Sequence, residues 1–303
     1  MRAKVVGTVA VVSVLAGCGS ATSAQPSADA PGVLSVKDAK PPTPGGEVGS
    51  ASDEFDKPGD ASVWSKLSDT EKDLDRLDGY DIDKTVKGSL YLQPKTSSWF
   101  DGFRGPFVYQ DLAGDIVMYA RVKVTGKQSA RPKRKFSLGG LMARVPDTYA
   151  KASWFSITTG TSDVPGQVEA KITKDGSSKP SYATVKGGWL DMVLARVGRA
   201  AAALYREQGG TWKVAKRWPV DVPANNVMQW GVTAYTDWDS FNTLKKDEAK
   251  ANAQLIKKGQ PDVKMSVDFV RFLRPELPDW ADPLNTASVD DQALIKALTP
   301  AGA

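Results

Sequence analysis

Between Asp115 and Val124 apolar and polar positions alternate: Ile116, Met118, Ala120, Val122 and Val124 share one side, and Val117, Tyr119, Arg121 and Lys123 the other. A period of two marks a strand that buries one face. Shorter runs of the same character recur along the chain: SLYLQP, PFVYQDL, FSLGGLMARV, WFSITTG, VEAKIT, LDMVLARV, AALYRE, WKVAKRW, VMQWGVTAY and VKMSVDFVRF. Gly, Pro, Asp and Ser separate them, and many short strands punctuated in this way predict an all-β sandwich or barrel. AAAALYRE has the composition of a helix, but Gly198 before it and Gly209 and Gly210 after it leave too little length. A meander over 190–197, 200–207 and 211–218 is predicted instead.

Three segments carry a helical pattern. Ser68 and Glu71 have the spacing of a capping box, opening a short helix that carries Leu74 and Leu77. In SFNTLKKDEAKANAQLIKKG, Leu244, Ala251 and Leu255 fall on one stripe and Gly259 supplies the stop. Its five lysines are mixed with Asp247 and Glu248, which reads as a solvated face. SVDDQALIKAL, near the end, predicts a small docking helix.

The first residues have another character. Arg2 and Lys4 precede the apolar run VVGTVAVVSVLAG, which is too short to span a membrane and reads as an export signal. Leu15-Ala16-Gly17-Cys18 resembles the bacterial lipobox. That resemblance implies cleavage before Cys18 and acylation of its thiol, and two or more acyl chains hold a protein stably on a membrane. The alternative is an ordinary cleaved signal with an incidental cysteine. Residues 18–52 are rich in Ser, Ala, Pro and Gly, a flexible tether of which about 30 residues span roughly 30 Å. The organisation read from the chain is therefore a signal over 1–17, a tether over 18–52, a folded domain over 53–275 and an extension with its docking helix over 276–303. The expected address is extracytoplasmic, with lipid anchoring to the bacterial cell membrane or outer membrane.

Composition narrows the chemistry. The chain has no histidine and one cysteine. This excludes Ser-His-Asp and Cys-His catalysis, imidazole-held zinc and an internal disulfide. Nine Trp and a hydrophobic share of 41% supply a well-packed core, and composition assigns most of the Trp, including Trp189 and Trp230, to it. The net charge of +5 is spread among acidic residues, so no nucleic-acid partner is expected.

The sequence order DEFD, then an aromatic-rich strand, then Gly114-Asp115-Ile116 leading the alternating strand, SLGGLMARV, the LARVG turn with its LYRE hairpin, and the closing VDFVRF resembles the concanavalin A-like lectin/glucanase superfamily, in particular a bacterial lipoprotein branch. The resemblance implies a jelly-roll sandwich of two antiparallel sheets with short inserted helices, and a concave face that binds glycan in many relatives. The hydrolases of that superfamily carry an E-x-D-x-x-E strand, which this chain lacks. Glycan binding without catalysis is therefore expected. The alternatives are a glycoside hydrolase or lyase using Asp and Glu, and a structural envelope protein with a protein partner.

Candidate ligand-binding residues follow from a need for aromatic planes and charged groups together. SSWFDGFRGPFVY, residues 97–109, holds five aromatics, Asp101 and Arg104. Phe107 and Tyr109 alternate in a strand and belong to a core. Trp99, Asp101 and Arg104 precede that strand in a connection, so Trp99→Ala is expected to weaken binding at less than the stability cost of a core Trp. The competing reading has Arg104 pairing with Asp101 to order a turn and Trp99 capping the core. Arg144, Tyr235 and Trp238 complete the expected site. Asp53, Asp56 and Asp268 are candidate ligands for a structural Ca²⁺ between the first and last strands, against a reading as turn residues.

Overall fold

A computed structural model describes residues 48–58, 63–146, 152–223, 225–244, 247–275 and 289–299. The export signal, Cys18 and the tether as far as residue 47 lie outside the described residues. Among the described residues fourteen strands form two antiparallel sheets of seven. The first sheet runs in the order β12 (Lys213–Pro219), β11 (Ala200–Glu207), β10 (Trp189–Val197), β5 (Ile116–Thr125), β14 (Lys264–Leu273), β3 (Leu90–Pro94), β2 (Leu77–Ile82). The second runs β1 (Ser65–Lys66), β4 (Phe107–Ala113), β13 (Val227–Tyr235), β6 (Ser137–Arg144), β7 (Trp154–Thr161), β8 (Pro165–Lys174), β9 (Ser177–Thr184). This is the jelly-roll sandwich with short helices read from the sequence, and the meander returns as β10, β11 and β12 within two residues of its expected bounds.

Alternation builds the core between the sheets. Ile116, Met118, Ala120, Val122 and Val124 of β5 join Val108, Leu141, Phe155, Ile157, Val168, Trp230 and Val232 of the second sheet in one buried cluster. Trp230 is fully buried, edge-on to Phe155 at 5.8 Å. The domain begins earlier than Asp53. Val48 N–H donates to the Phe272 carbonyl at 2.7 Å, Ala51 is buried, and Asp53 bridges Val270, so residues 48–52 belong to the first sheet's margin and not to the tether.

The helices depart furthest from expectation. α1 is only Leu67–Thr70, with no side-chain cap; Ser68 donates to Asp69, and Leu77 starts β2. The capping box fails because the Glu71 carboxylate is taken up by Arg144 and Gln229. The segment expected as one helix over 240–259 is broken into α2 (Trp238–Phe241), a 3-10 turn and α3 (Glu248–Asn252). Asp247 caps α3 by accepting from Lys250 N–H, and Leu255 is exposed rather than on a buried stripe. α4 (Asp291–Leu298) does dock as predicted. Asp290 caps it, and Leu294, Leu298 and Val289 cover Val117, Tyr119, Val193, Leu204 and Phe269 on the outer face of the first sheet.

Candidate glycan-binding face

The outer face of the second sheet can be written down from its register. One row across the strands reads Asp111, Gln229, Arg144, Trp154, Thr173, Ser178; the next reads Tyr109, Gly231, Met142, Ser156, Lys171, Pro180; the third reads Phe107, Thr233, Gly140, Thr158, Glu169, Tyr182. Charged and aromatic side chains therefore stand on a face that water would be expected to cover. Most of it is covered by protein instead.

The cover is the aromatic connection itself. Ser97 bridges Thr236 just beyond β13, and Asp101 reaches β9, where its backbone N–H donates to Ser178 Oγ at 2.6 Å and its Oδ1 accepts from Ser178 N–H at 2.9 Å. Asp101 holds this tip in the left-handed region, with φ 51°, a conformation Asp tolerates better than most residues. The chain then returns to β4 through Pro106, whose carbonyl accepts from Thr233 Oγ1 and Trp99 Nε1. Residues 97–106 thus form a strap across the sheet. Phe103 packs on Phe241, Ala251 and the partly buried Trp238, which locks the strap to the segment holding α2 and α3.

Beneath the strap Trp99 meets Trp154 and Phe107 edge-on, with ring centroids 5.9 and 6.4 Å away, in a buried layer that also holds Leu67, Tyr109, Leu138, Met142 and Tyr235. Trp99 is 2% exposed. It is core and offers no ring face to a sugar, because the strap carries it inward. Next to it Lys171 Nζ lies 2.6 Å from Glu169 Oε1 and donates to Tyr235 Oη at 3.1 Å, and Tyr235 donates to Glu169 at 2.8 Å. The ammonium also faces the rings of Tyr235, Trp154 and Phe100 at 5.1, 5.3 and 5.9 Å, a cation-π enclosure. Burial, with the Glu169 carboxylate beside it, pushes the Tyr235 hydroxyl well above its ordinary range.

At the Asp111 end of the same face Asp111 is exposed and Glu71 and Arg104 are partly so. Arg144 is buried and grips Glu71 with two parallel bonds of 2.7 and 2.9 Å, while Gln229 accepts from Arg144 at 2.6 Å and donates to Glu71 at 3.0 Å. Arg104, a quarter exposed, stands 3.8 Å from Glu71 and 3.6 Å from Asp73. Burial raises the Glu71 pKa, but the hydrogen bond and charge of Arg144, the Gln229 amide and the charge of Arg104 outweigh it and hold the carboxyl below its usual 4.5. Asp111 is exposed yet ringed by protein, and partial loss of water together with the Glu71 charge raises its pKa.

All six expected ligand-binding residues lie on this face or in its cover. Arg104 and Arg144 meet through Glu71, and Arg104 does not pair with Asp101, which instead pins the strap. Tyr235 is buried in the Lys171 network, and Trp238 packs edge-on to Phe100 and Phe103 on the far side of the strap. Glu71, Asp111, Gln229, Glu169 and Lys171 were not anticipated, although alternation in VEAKIT sets Glu169 and Lys171 on the side opposite its apolar residues. The expected metal ligands do not converge. Asp53 accepts from Phe55 N–H at 2.8 Å and Trp64 Nε1 at 2.9 Å, and Asp268 lies 3.5 Å from Arg121. Among the described residues no group of three acidic, Cys or His side chains is placed to hold a metal.

No family model matches the sequence, and no curated protein matches it either. Solved structures do. The GH43 BlXynB protein of Bacillus licheniformis is 11% identical with a TM-score of 0.52 over 74% of this chain, and the chain spans 39% of that protein's length. SCLam, a non-specific endo-β-1,3(4)-glucanase of family GH16, is 15% identical with a TM-score of 0.47, covering 77% of this chain and 92% of that one. A pseudo β-1,3-glucanase of Mycobacterium tuberculosis is 15% identical with a TM-score of 0.47, covering 74% and 98%. At 11% identity the likeness to the GH43 protein is one of fold alone.

Two outcomes follow from the geometry. Trp99→Ala should cost about 3 to 5 kcal/mol in denaturant unfolding, the full penalty of truncating a core aromatic; a loss below about 1 kcal/mol would mean that the strap leaves the indole free. Glu71→Gln deprives the buried Arg144 of its carboxylate and should cost about 3 kcal/mol at neutral pH, the low end for a broken buried pair. Because the Glu71 pKa is depressed in the fold, its contribution is complete above about 4.5. It fades as pH falls through the lower, folded value. Urea midpoints of wild type and variant measured from neutral to acid pH should therefore converge at the acid end, and a constant gap would contradict the assignment.

Proposed function

We propose that this protein is an extracytoplasmic lipoprotein, anchored through Cys18, whose sandwich binds glycan without cleaving it. The ligand lies at the Asp111 end of the second sheet's outer face, where the partly exposed Arg104 and Glu71 and the exposed Asp111 offer planar donors and acceptors. The observation that carries this reading is the state of the acids. Glu71 is held bidentately by Arg144, and Glu169 is locked to Lys171 and Tyr235 under the strap. Glycoside hydrolysis requires two carboxyls working as a pair across the bond, and neither of these two is free to act. Hydroxyl groups of a sugar, by contrast, can share the exposed edges of such fixed ion pairs.

A second reading, hydrolysis, draws on Asp111, an exposed carboxyl whose pKa partial burial and the Glu71 charge raise, as a general acid requires. Release of reducing sugar that disappears in Asp111→Asn would establish it.

Binding is tested by a glycan array, followed by affinity electrophoresis in the polysaccharide that scores. Arg104→Ala should weaken retardation by about tenfold, equivalent to about 1.4 kcal/mol, with little change in stability because Arg104 is partly exposed. An array without any glycan hit would favour a protein partner. Anchoring is tested by labelling with radioactive palmitate, which should mark the wild type and not Cys18→Ala; an unlabelled wild type that stays with the cells would remove the lipoprotein reading.

A further inference from the structure

The outer face of the first sheet is covered at one end by α4. Toward the other end of the same strands it opens into a recess of about 370 Å³, lined by Arg121, Trp189, Asp191, Arg206, Gln208 and Asp268 and bordered by the Gly209-Gly210 turn. A recess of this size accommodates a ligand of the dimensions of a sugar unit.

Its chemistry is set by register. Arg121, Asp191 and Arg206 stand opposite one another on β5, β10 and β11. Asp191, the most buried of them, receives Arg121 Nε at 2.8 Å and Arg206 Nε at 3.1 Å. Asp268 is the extra residue of a bulge in β14, between Val267 and Phe269, and the bulge turns it toward Arg121 Nη1 at 3.5 Å. Rings hold the guanidiniums in place: Arg206 lies 4.9 Å from the Trp212 centroid and Arg121 5.5 Å from that of Phe269. Lys123 stands over Trp189 at 5.8 Å. Trp189 is half-buried, not the core residue that composition suggested.

Two arginines and two aspartates leave the lining residues themselves without net charge, with Lys123 at the edge over Trp189. What it presents is a fixed alternation of donors and acceptors beside an indole. A sugar hydroxyl donates and accepts at once, and the ring C–H groups need an apolar surface. We propose that this recess is a second binding site, separate from the face on the other sheet, for a neutral polyhydroxylated ligand the size of one hexose or pentose unit. Asp268 and Gln208 take its hydroxyls, Arg121 donates to it, and Trp189 carries its apolar side.

The test follows the indole N–H resonance of Trp189 in the intact protein, assigned with Trp189→Phe, during titration with methyl glycosides of glucose, galactose, mannose and xylose. A saturable shift with at least one of them is expected, weakened about tenfold or more in both Gln208→Ala and Asp268→Asn and retained in Arg104→Ala. Gln208 and Asp268 are exposed, so neither variant threatens the fold. Absence of a saturable shift with all four glycosides up to about 100 mM would overturn the proposal, since weaker binding is not recognition. A shift that survives Asp268→Asn and Gln208→Ala would overturn it too, as would a response confined to inorganic phosphate. Loss of the shift in Arg104→Ala would trace it to the other sheet and not to this recess.

Discussion

A charge withdrawn from water must be paired and hydrogen-bonded, and Lys171 and Glu169, at 2% and 1% side-chain exposure, impose that demand on the second sheet. Each buried ion costs several kcal/mol before its partners are counted. Tyr235 supplies a bond to both, and three aromatic rings close around the ammonium. One of those rings, Phe100, belongs to the strap, and Trp99 beside it seals the neighbouring space. The strap is what takes this pair out of water, and its Phe100 ring faces the ammonium that it shuts in.

The strap in turn is held at its root by a second buried charge. Asp237 is fully buried in the left-handed region, with φ 67°, and accepts from Thr96 Oγ1 at 2.9 Å, Gln260 N–H at 2.5 Å and Arg134 Nε at 2.8 Å. Burial raises its pKa, yet these donors, led by the Gln260 amide, bring it below the ordinary carboxylate range. One carboxylate so joins the approach to the strap, the connection before β6 and the connection before β14. The outer face of the second sheet is largely filled by the chain's own residues, and Glu71, Arg104 and Asp111 at one end keep partial exposure.

The strands were legible because alternation is local: each period-two run reports its own burial, which is why β5 and the meander were placed closely. The helices were not, because their ends depend on distant partners. Glu71 abandons its capping position for Arg144, 73 residues away. The second helix breaks where Asn252 instead serves Arg104 N–H and the Gly102 carbonyl of the strap. The surroundings of the expected ligand-binding residues were illegible for the same reason. Trp99 in a connection looks exposed by sequence, but the pinning of Asp101 to Ser178 turns it inward, and nothing near residue 101 announces residue 178. Arg144 and Arg104 were picked for their charge, while the Glu71 that joins them lay in a segment read as helix.

Four consecutive strap amides carry the account's central claim. Asp101, Gly102, Phe103 and Arg104 donate respectively to Ser178 Oγ, Glu248 Oε1, the Phe100 carbonyl and Asn252 Oδ1. Native-state hydrogen exchange reads these bonds directly. A strap that seals the charged face should exchange as slowly as the interior of β13, through the same opening that exposes Lys171 and Glu169. Exchange of these four amides at the rate of an exposed loop, with β13 still protected, would contradict a closed face and return Trp99 to the surface.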